Sequence, residues 1–318
     1  MLPVLPDDLL LRLLSFCEPD DVNNFCLLDK RSNEFVQNFR WHLPRQDSNC
    51  IVRIDANDNV YIKMSPATVF SINQRCKKFV FSPRSKPLDD SVFSAYNIHN
   101  LAIIGTHSKV CKVTPSLTDW IQLQLNNKNI PQLQHISLKY LDFSSLSYTD
   151  FSKLFEIIGI NGKVSIKNCI FPVISMIYDV FLQVGKFEYV VENGNTIKEL
   201  DYNVEEMVRL TENVLDTVIS GCSTKLDLSS LVVPSVGVIV KFIQKWRMTR
   251  EPNDFSQLSF QFLPNKGDLT HSLLQIPNAK TVAGTNVVSI NNNHDPTLVI
   301  FIHIQQLYIH LGVKSIIF

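Results

Sequence analysis

Two hydrophobic rhythms divide this chain. Over Leu5–Phe39 the apolar positions recur at helical spacing; farther on, short apolar–polar–apolar runs alternate with longer helical stretches. Leu9, Leu10, Leu13, Leu14 and Cys17 predict one helical face, with Phe16 on its flank. Asp7 and Asp8 open that helix after Leu5-Pro6, where negative charge complements the unpaired N–H groups of a helix start. Glu18-Pro19-Asp20-Asp21 ends it and begins another, with Pro19 suited to the first helical position. Val22, Phe25 and Cys26 give the second helix its stripe, Asp29 predicts a cap, and Phe35, Val36 and Phe39 mark a third helix. At ~100° per residue, the first helix carries an apolar arc of roughly 160°, from Phe16 through Leu9, Leu13, Cys17 and Leu10 to Leu14. Leu11 widens it further, whereas a surface helix needs a stripe of only about 100°. A unit below about 40 residues cannot hide that much on its own. The surplus is buried either by the rest of the chain or by a second protein.

Beyond this segment, Cys50–Ile54 and Val60–Met64 predict a hairpin around the Asn- and Asp-rich stretch 55–59, and a short helix is expected from Pro66 to about Arg75. Strands are then expected at Phe79/Phe81, Leu101/Ile103, Ile136/Leu138, Val164/Ile166, Phe187/Tyr189, Leu226/Leu228 and Leu258/Phe260. Helices are expected between them over 88–97, 115–127, 149–160, 172–185, 203–221 and 234–249. The step between strands averages about 30 residues, within the range of stacked repeats. A strand with one apolar face plus a helix buries itself only against neighbours of the same kind. The arrangement is similar to a leucine-rich-repeat horseshoe, and Leu133-Gln134-His135-Ile136-Ser137-Leu138 is its clearest unit. It departs from that family where Asn usually follows the strand: Leu141 stands there, and only Cys169, after Ile166, is a usual substitute. A non-repetitive α/β domain is the alternative. After Gly267 the pattern weakens, and Leu298–Ile302 reads as buried strand or short helix, too short for a membrane span of about 20 residues.

The N-terminal residues also carry a resemblance. Leu5-Pro6, the leucine-rich first helix, the Glu18–Val22 break and the Leu27-Leu28-Asp29-Lys30-Arg31 run are similar, in order and spacing, to an F-box. Cys17 replaces the family's usual Leu, and Ser32 its usual aromatic. The architecture further resembles the expanded F-box families of nematodes. It implies an α/β chain with a three-helix F-box over 1–45 and an irregular leucine-rich-repeat-like substrate-recognition domain over 46–318. It also implies docking to a Skp-type adaptor, and through it to a cullin, by Leu5, Pro6, Leu9, Leu10, Leu13, Phe16, Pro19, Val22 and Phe25. A target protein would bind the larger domain, with no chemistry and no cofactor in this chain. The alternative is a repeat-type interaction scaffold whose N-terminal helices only cap the array. Capping predicts that Leu10, Leu11 and Leu14 are covered by residues 40–100; docking predicts that they stay exposed.

Composition changes little in this picture. The chain has 318 residues, 45% hydrophobic, and its 30 Lys and Arg balance 30 Asp and Glu. That balance gives no electrostatic case for nucleic acid or an anionic membrane. Seven scattered Cys without a Cys-x-x-Cys pair, and no leader-like opening, point to reduced thiols in cytosol or nucleus. No phosphate-cradling loop, nucleophile elbow or H-E-x-x-H motif is present, so a hydrolase or transferase reading has no motif behind it. His99, His107 and Cys111 match no zinc spacing.

Overall fold

The computed structural model describes residues 5–55, 57, 59–66, 77–81, 96–106, 110–125, 133–173, 175–176, 187–192, 194–199, 204–220, 225–229, 234–252, 255, 257–261, 266–305 and 308–315. Three short helices come first: α1 (Asp7–Leu14), α2 (Pro19–Cys26) and α3 (Lys30–Phe39). Pro6 is the N-cap of α1, with Asp7 and Asp8 in its first turn, and Pro19 begins α2. Asp29 caps α3 by accepting the Ser32 N–H at 2.7 Å, and that bond holds its carboxyl below the ordinary range.

Strands β1 (Gln46–Ile54), β2 (Val60–Pro66), β3 (Lys77–Phe81) and β4 (Tyr96–Ile104) follow. Next come β5 (Cys111–Lys112), α4 (Pro115–Leu125), β6 (Leu133–Lys139), β7 (Leu141–Asp142) and α5 (Tyr148–Glu156). The chain continues through β8 (Ile158–Lys167), β9 (Ile170–Val173), β10 (Phe187–Val191), β11 (Thr196–Glu199) and α6 (Val204–Ser220). After β12 (Lys225–Leu228), α7 (Val236–Met248), β13 (Gln257–Gln261) and α8 (Lys266–Leu274) come four last strands. These are β14 (Lys280–Thr281), β15 (Val287–Asn291), β16 (Leu298–Ile304) and β17 (Tyr308–Ser315).

The fold is mixed α/β. Among the described residues thirteen strands form one large sheet, ordered β14-β15-β16-β17-β13-β12-β10-β8-β6-β4-β1-β2-β3, and four short ones form another, β11-β9-β7-β5. Its middle, from β13 to β1, is parallel. β2 and β3 extend it antiparallel at one edge, and β17 to β14 at the other. Alternation within each strand sets one apolar row across the parallel part: Val52, Ile103, Leu138, Ile166, Val191, Leu226 and Leu258 occupy successive paired positions and are all buried. Helices pack the same core, with Phe151, Leu154 and Phe155 from α5 and Phe242, Ile243 and Trp246 from α7.

Four times in succession a strand of the large sheet leads directly to one of the small sheet: β4 to β5, β6 to β7, β8 to β9 and β10 to β11. Three of those connections contain a left-handed residue, Tyr140 (φ 57°), Asn168 (φ 52°) and Gly194 (φ 84°). The turns stack so closely that a Cβ on Gly194 would lie 1.8 Å from the Asn168 Oδ1, and one on Gly105 would lie 2.0 Å from the Tyr140 carbonyl oxygen. Buried Asn195 accepts the Cys169 N–H at 2.9 Å and donates to the Glu192 carbonyl at 2.7 Å, joining consecutive turns.

Several expectations need correction. Phe79/Phe81 lie on β3, which pairs antiparallel with β2; the first parallel strand is β1. Tyr96 and Asn97 begin a strand instead of ending a helix, and the rest of the stretch expected over 88–97 lies outside the described residues, as does the helix expected after Pro66. Residues 158–160, expected in a helix, open β8, because their backbone joins the sheet beside β6 at the Leu133↔Ile158 pair. Val173 is in β9, and most of the helix expected over 172–185 lies outside the described residues. The Leu298–Ile302 run is strand β16, held between β15 and β17. No helix among the described residues is long and apolar enough to cross a membrane.

Candidate functional site

The three N-terminal helices hold a small core of their own. Leu14, Val22, Phe35, Val36 and Leu43 are buried together, with Leu10, Leu11, Cys17, Phe25, Cys26 and Phe39 packed around them. None of these residues belongs to the large core beneath the sheet. Arg31 ties the ends of the unit together, its Nη2 donating to the Leu5 carbonyl at 3.4 Å and meeting the Asp7 carboxylate at 3.5 Å. Arg40 closes the other side by donating to Asn23 Oδ1 at 2.9 Å.

Helix geometry splits the wide apolar arc of α1 in two. Leu10, Leu14 and Cys17 turn toward the small core. Leu9 and Leu13, offset by roughly 100° on the helix, face outward, as does Phe16 in the turn after α1. They are 47%, 55% and 84% exposed, and Leu27 and Leu28, after α2, are 82% and 70% exposed. So many large apolar side chains in water on so small a unit are out of the ordinary, because scattered exposed leucines are common but such a concentration is not.

The residues expected to meet an adaptor divide accordingly. Leu5, Pro6, Leu9, Leu13 and Phe16 are exposed, whereas Leu10, Pro19 and Phe25 are half-buried. Val22 is fully buried in the small core and does not lie on the surface; it supports the face from beneath. Leu10, Leu11 and Leu14, which docking expects to stay exposed, do not: Leu14 is buried and the other two are half-buried, in a core made by the unit's own helices and by Leu43, the one core residue from the 40–100 stretch that capping expects to cover them. Leu27 and Leu28, which the sequence did not place on the surface, lie exposed in the turn between α2 and the Asp29 cap of α3. Ser32, where an aromatic would be usual in the resembled family, is buried; its N–H is bound by Asp29.

Burial pushes the Cys169 thiol up to about 12 and also raises that of Cys50, so both stay protonated and poorly nucleophilic. His99 meets the Asp47 carboxylate at 3.0 Å and Cys111 contacts Thr106, while His107 lies outside the described residues. No group of three or more His, Cys, Asp or Glu among the described residues is placed to hold a metal ion. No family model matches the chain, and no curated protein or solved structure matches it.

Proposed function

We propose that this chain is the substrate-receptor subunit of a Skp–cullin–F-box ubiquitin ligase, working in cytosol or nucleus. In this reading the N-terminal helices are an F-box that docks on a Skp-type adaptor. The larger domain, an irregular leucine-rich-repeat-like array, binds a target protein. The chain breaks no bond itself and contributes proximity between target and ligase.

One observation carries the reading: a unit with its own closed core leaves Leu9, Leu13 and Phe16 in water. The recurring step from a long sheet strand to a short second-sheet strand supports the repeat-like description of the larger domain. A scaffold whose N-terminal helices merely cap the array gains no support from α1, whose inward residues pack in the small core and not in the large one.

The test is capture of the full chain by a purified Skp-type adaptor, comparing wild type with Leu13→Asp and Phe16→Asp. Both side chains are exposed, so the helices remain folded by circular dichroism. The expected result is a Kd weakened by roughly thirtyfold or more, the scale of a central anchor residue. Equal capture by folded wild type and both variants rejects the docking face.

A further inference from the structure

The antiparallel end of the large sheet turns two histidines outward side by side. Ser259 on β13, His310 on β17, His303 on β16 and Val287 on β15 occupy successive paired positions, so their side chains share one face. His303 is exposed and His310 half-buried. The next paired positions on that face are Gln261 and Tyr308 to one side, and Gly312, Phe301 and Ser289 to the other. None of them is charged, so no carboxylate in these positions engages the imidazoles and no cation beside them repels another positive charge. His310 is already held in place. Its Nδ1 meets Ser259 Oγ at 2.8 Å, and fully buried Ser259 also accepts from Gln257 Nε2 at 2.9 Å. Tyr308 stacks beside the ring, with centroids 6.3 Å apart and planes 24° from parallel. When Nδ1 donates to Ser259, the other ring nitrogen, Nε2, carries a free lone pair. A buried group fixing one imidazole nitrogen is the support that metal-binding histidines have. His303 forms no hydrogen bond or ion pair with another described residue.

We infer that His303 and His310 together chelate one divalent transition ion of the nickel, copper and zinc group on the outer face of β16 and β17. Imidazole nitrogen suits these ions, whereas calcium and magnesium take oxygen ligands. Directly paired residues hold their Cβ atoms about 4.5–5.5 Å apart. Two nitrogens bound to one ion at about 2.0–2.1 Å each lie roughly 3 Å from one another. Rings on paired residues close to that distance by side-chain rotation alone, with no change in the strands. Two protein ligands leave the ion's other positions to water, which makes the site exchangeable, unlike a closed four-ligand structural site. The inference does not rest on the function proposed above and stands if that function is rejected.

The experiment titrates Ni2+ into the full chain by isothermal calorimetry. Nickel is the probe because imidazole suits it, while zinc is also sought by thiolates. The expected result is a site of one ion per chain whose affinity falls about tenfold or more in His303→Gln and in His310→Gln. Each variant leaves a single imidazole, without the second one's effective concentration. His271→Gln, which removes an exposed histidine on α8, leaves the affinity unchanged. Circular dichroism checks the fold of every variant. His310→Gln takes a partner from buried Ser259, so His303→Gln decides the question if that variant is disturbed. No Ni2+ binding, or an affinity unchanged in folded His303→Gln, overturns the inference. A loss in His271→Gln as large as that in His303→Gln also overturns it, because any exposed histidine would then account for the binding.

Discussion

Val22→Asp unfolds the N-terminal helices and leaves the sheet standing. Val22 is fully buried among Leu14, Phe35, Val36 and Leu43, a site that offers a carboxylate nothing to pair with. An unpaired charge in such surroundings costs several kcal/mol. A core of this size holds only a small margin, since units of about 40 residues are barely stable by themselves. The large core contains none of these side chains and has no reason to follow. Brief trypsin treatment therefore cuts the variant at Arg12, Lys30 and Arg31 while the described strands of the large sheet stay intact, and adaptor capture is lost. Simultaneous loss of the whole protein, in one cooperative step, contradicts the separation of the two cores. Leu13→Asp is the contrasting case: the same charge, one helix face away, in water.

Leu138→Ala weakens the large domain by about 2–5 kcal/mol, the range for a buried leucine truncated in a packed core. Leu138 is fully buried at the middle of the apolar row, paired with Ile103 on one side and Ile166 on the other. Strands on both flanks fix the backbone, so the site collapses poorly around the missing methyl groups. Lys139→Ala, the next residue on the opposite face, changes stability by no more than about 0.5 kcal/mol. Urea unfolding of the two variants measures the contrast. Equal effects would mean that the two faces of β6 are not the inside and outside described here.

Much of this fold was legible in alternation and periodicity, but direction and partner were not. Ile136/Leu138 and Leu226/Leu228 stand out as strand pairs because Ser137 and Asp227 between them are polar, and with Leu101/Ile103 they do form the buried row. Phe79/Phe81 show the same alternation on a strand that runs antiparallel, since a period of two carries no information about the neighbour's direction. The small sheet escaped notice because β5 and β7 are two residues each, too short to alternate. Leu298–Ile302 is almost continuously apolar, a pattern shared by buried strands and buried helices. Nothing in the spacing singles out Asn195; only its burial and its bond to the Cys169 N–H reveal it as a link between turns. At the N-terminus the width of the apolar arc was readable, yet which half faced inward was not. That division depends on where α2, α3 and Leu43 close over Leu10, Leu14 and Cys17.

Amide hydrogen exchange of the full chain, with and without a saturating purified Skp-type adaptor, puts the oily outer side of α1 to the most direct test. Slowed exchange confined to residues 7–17 and 22–28, with the sheet strands unchanged, is the predicted pattern. Unaltered exchange throughout those segments, with the adaptor shown to be active toward another receptor, would contradict the claim that a second protein covers them.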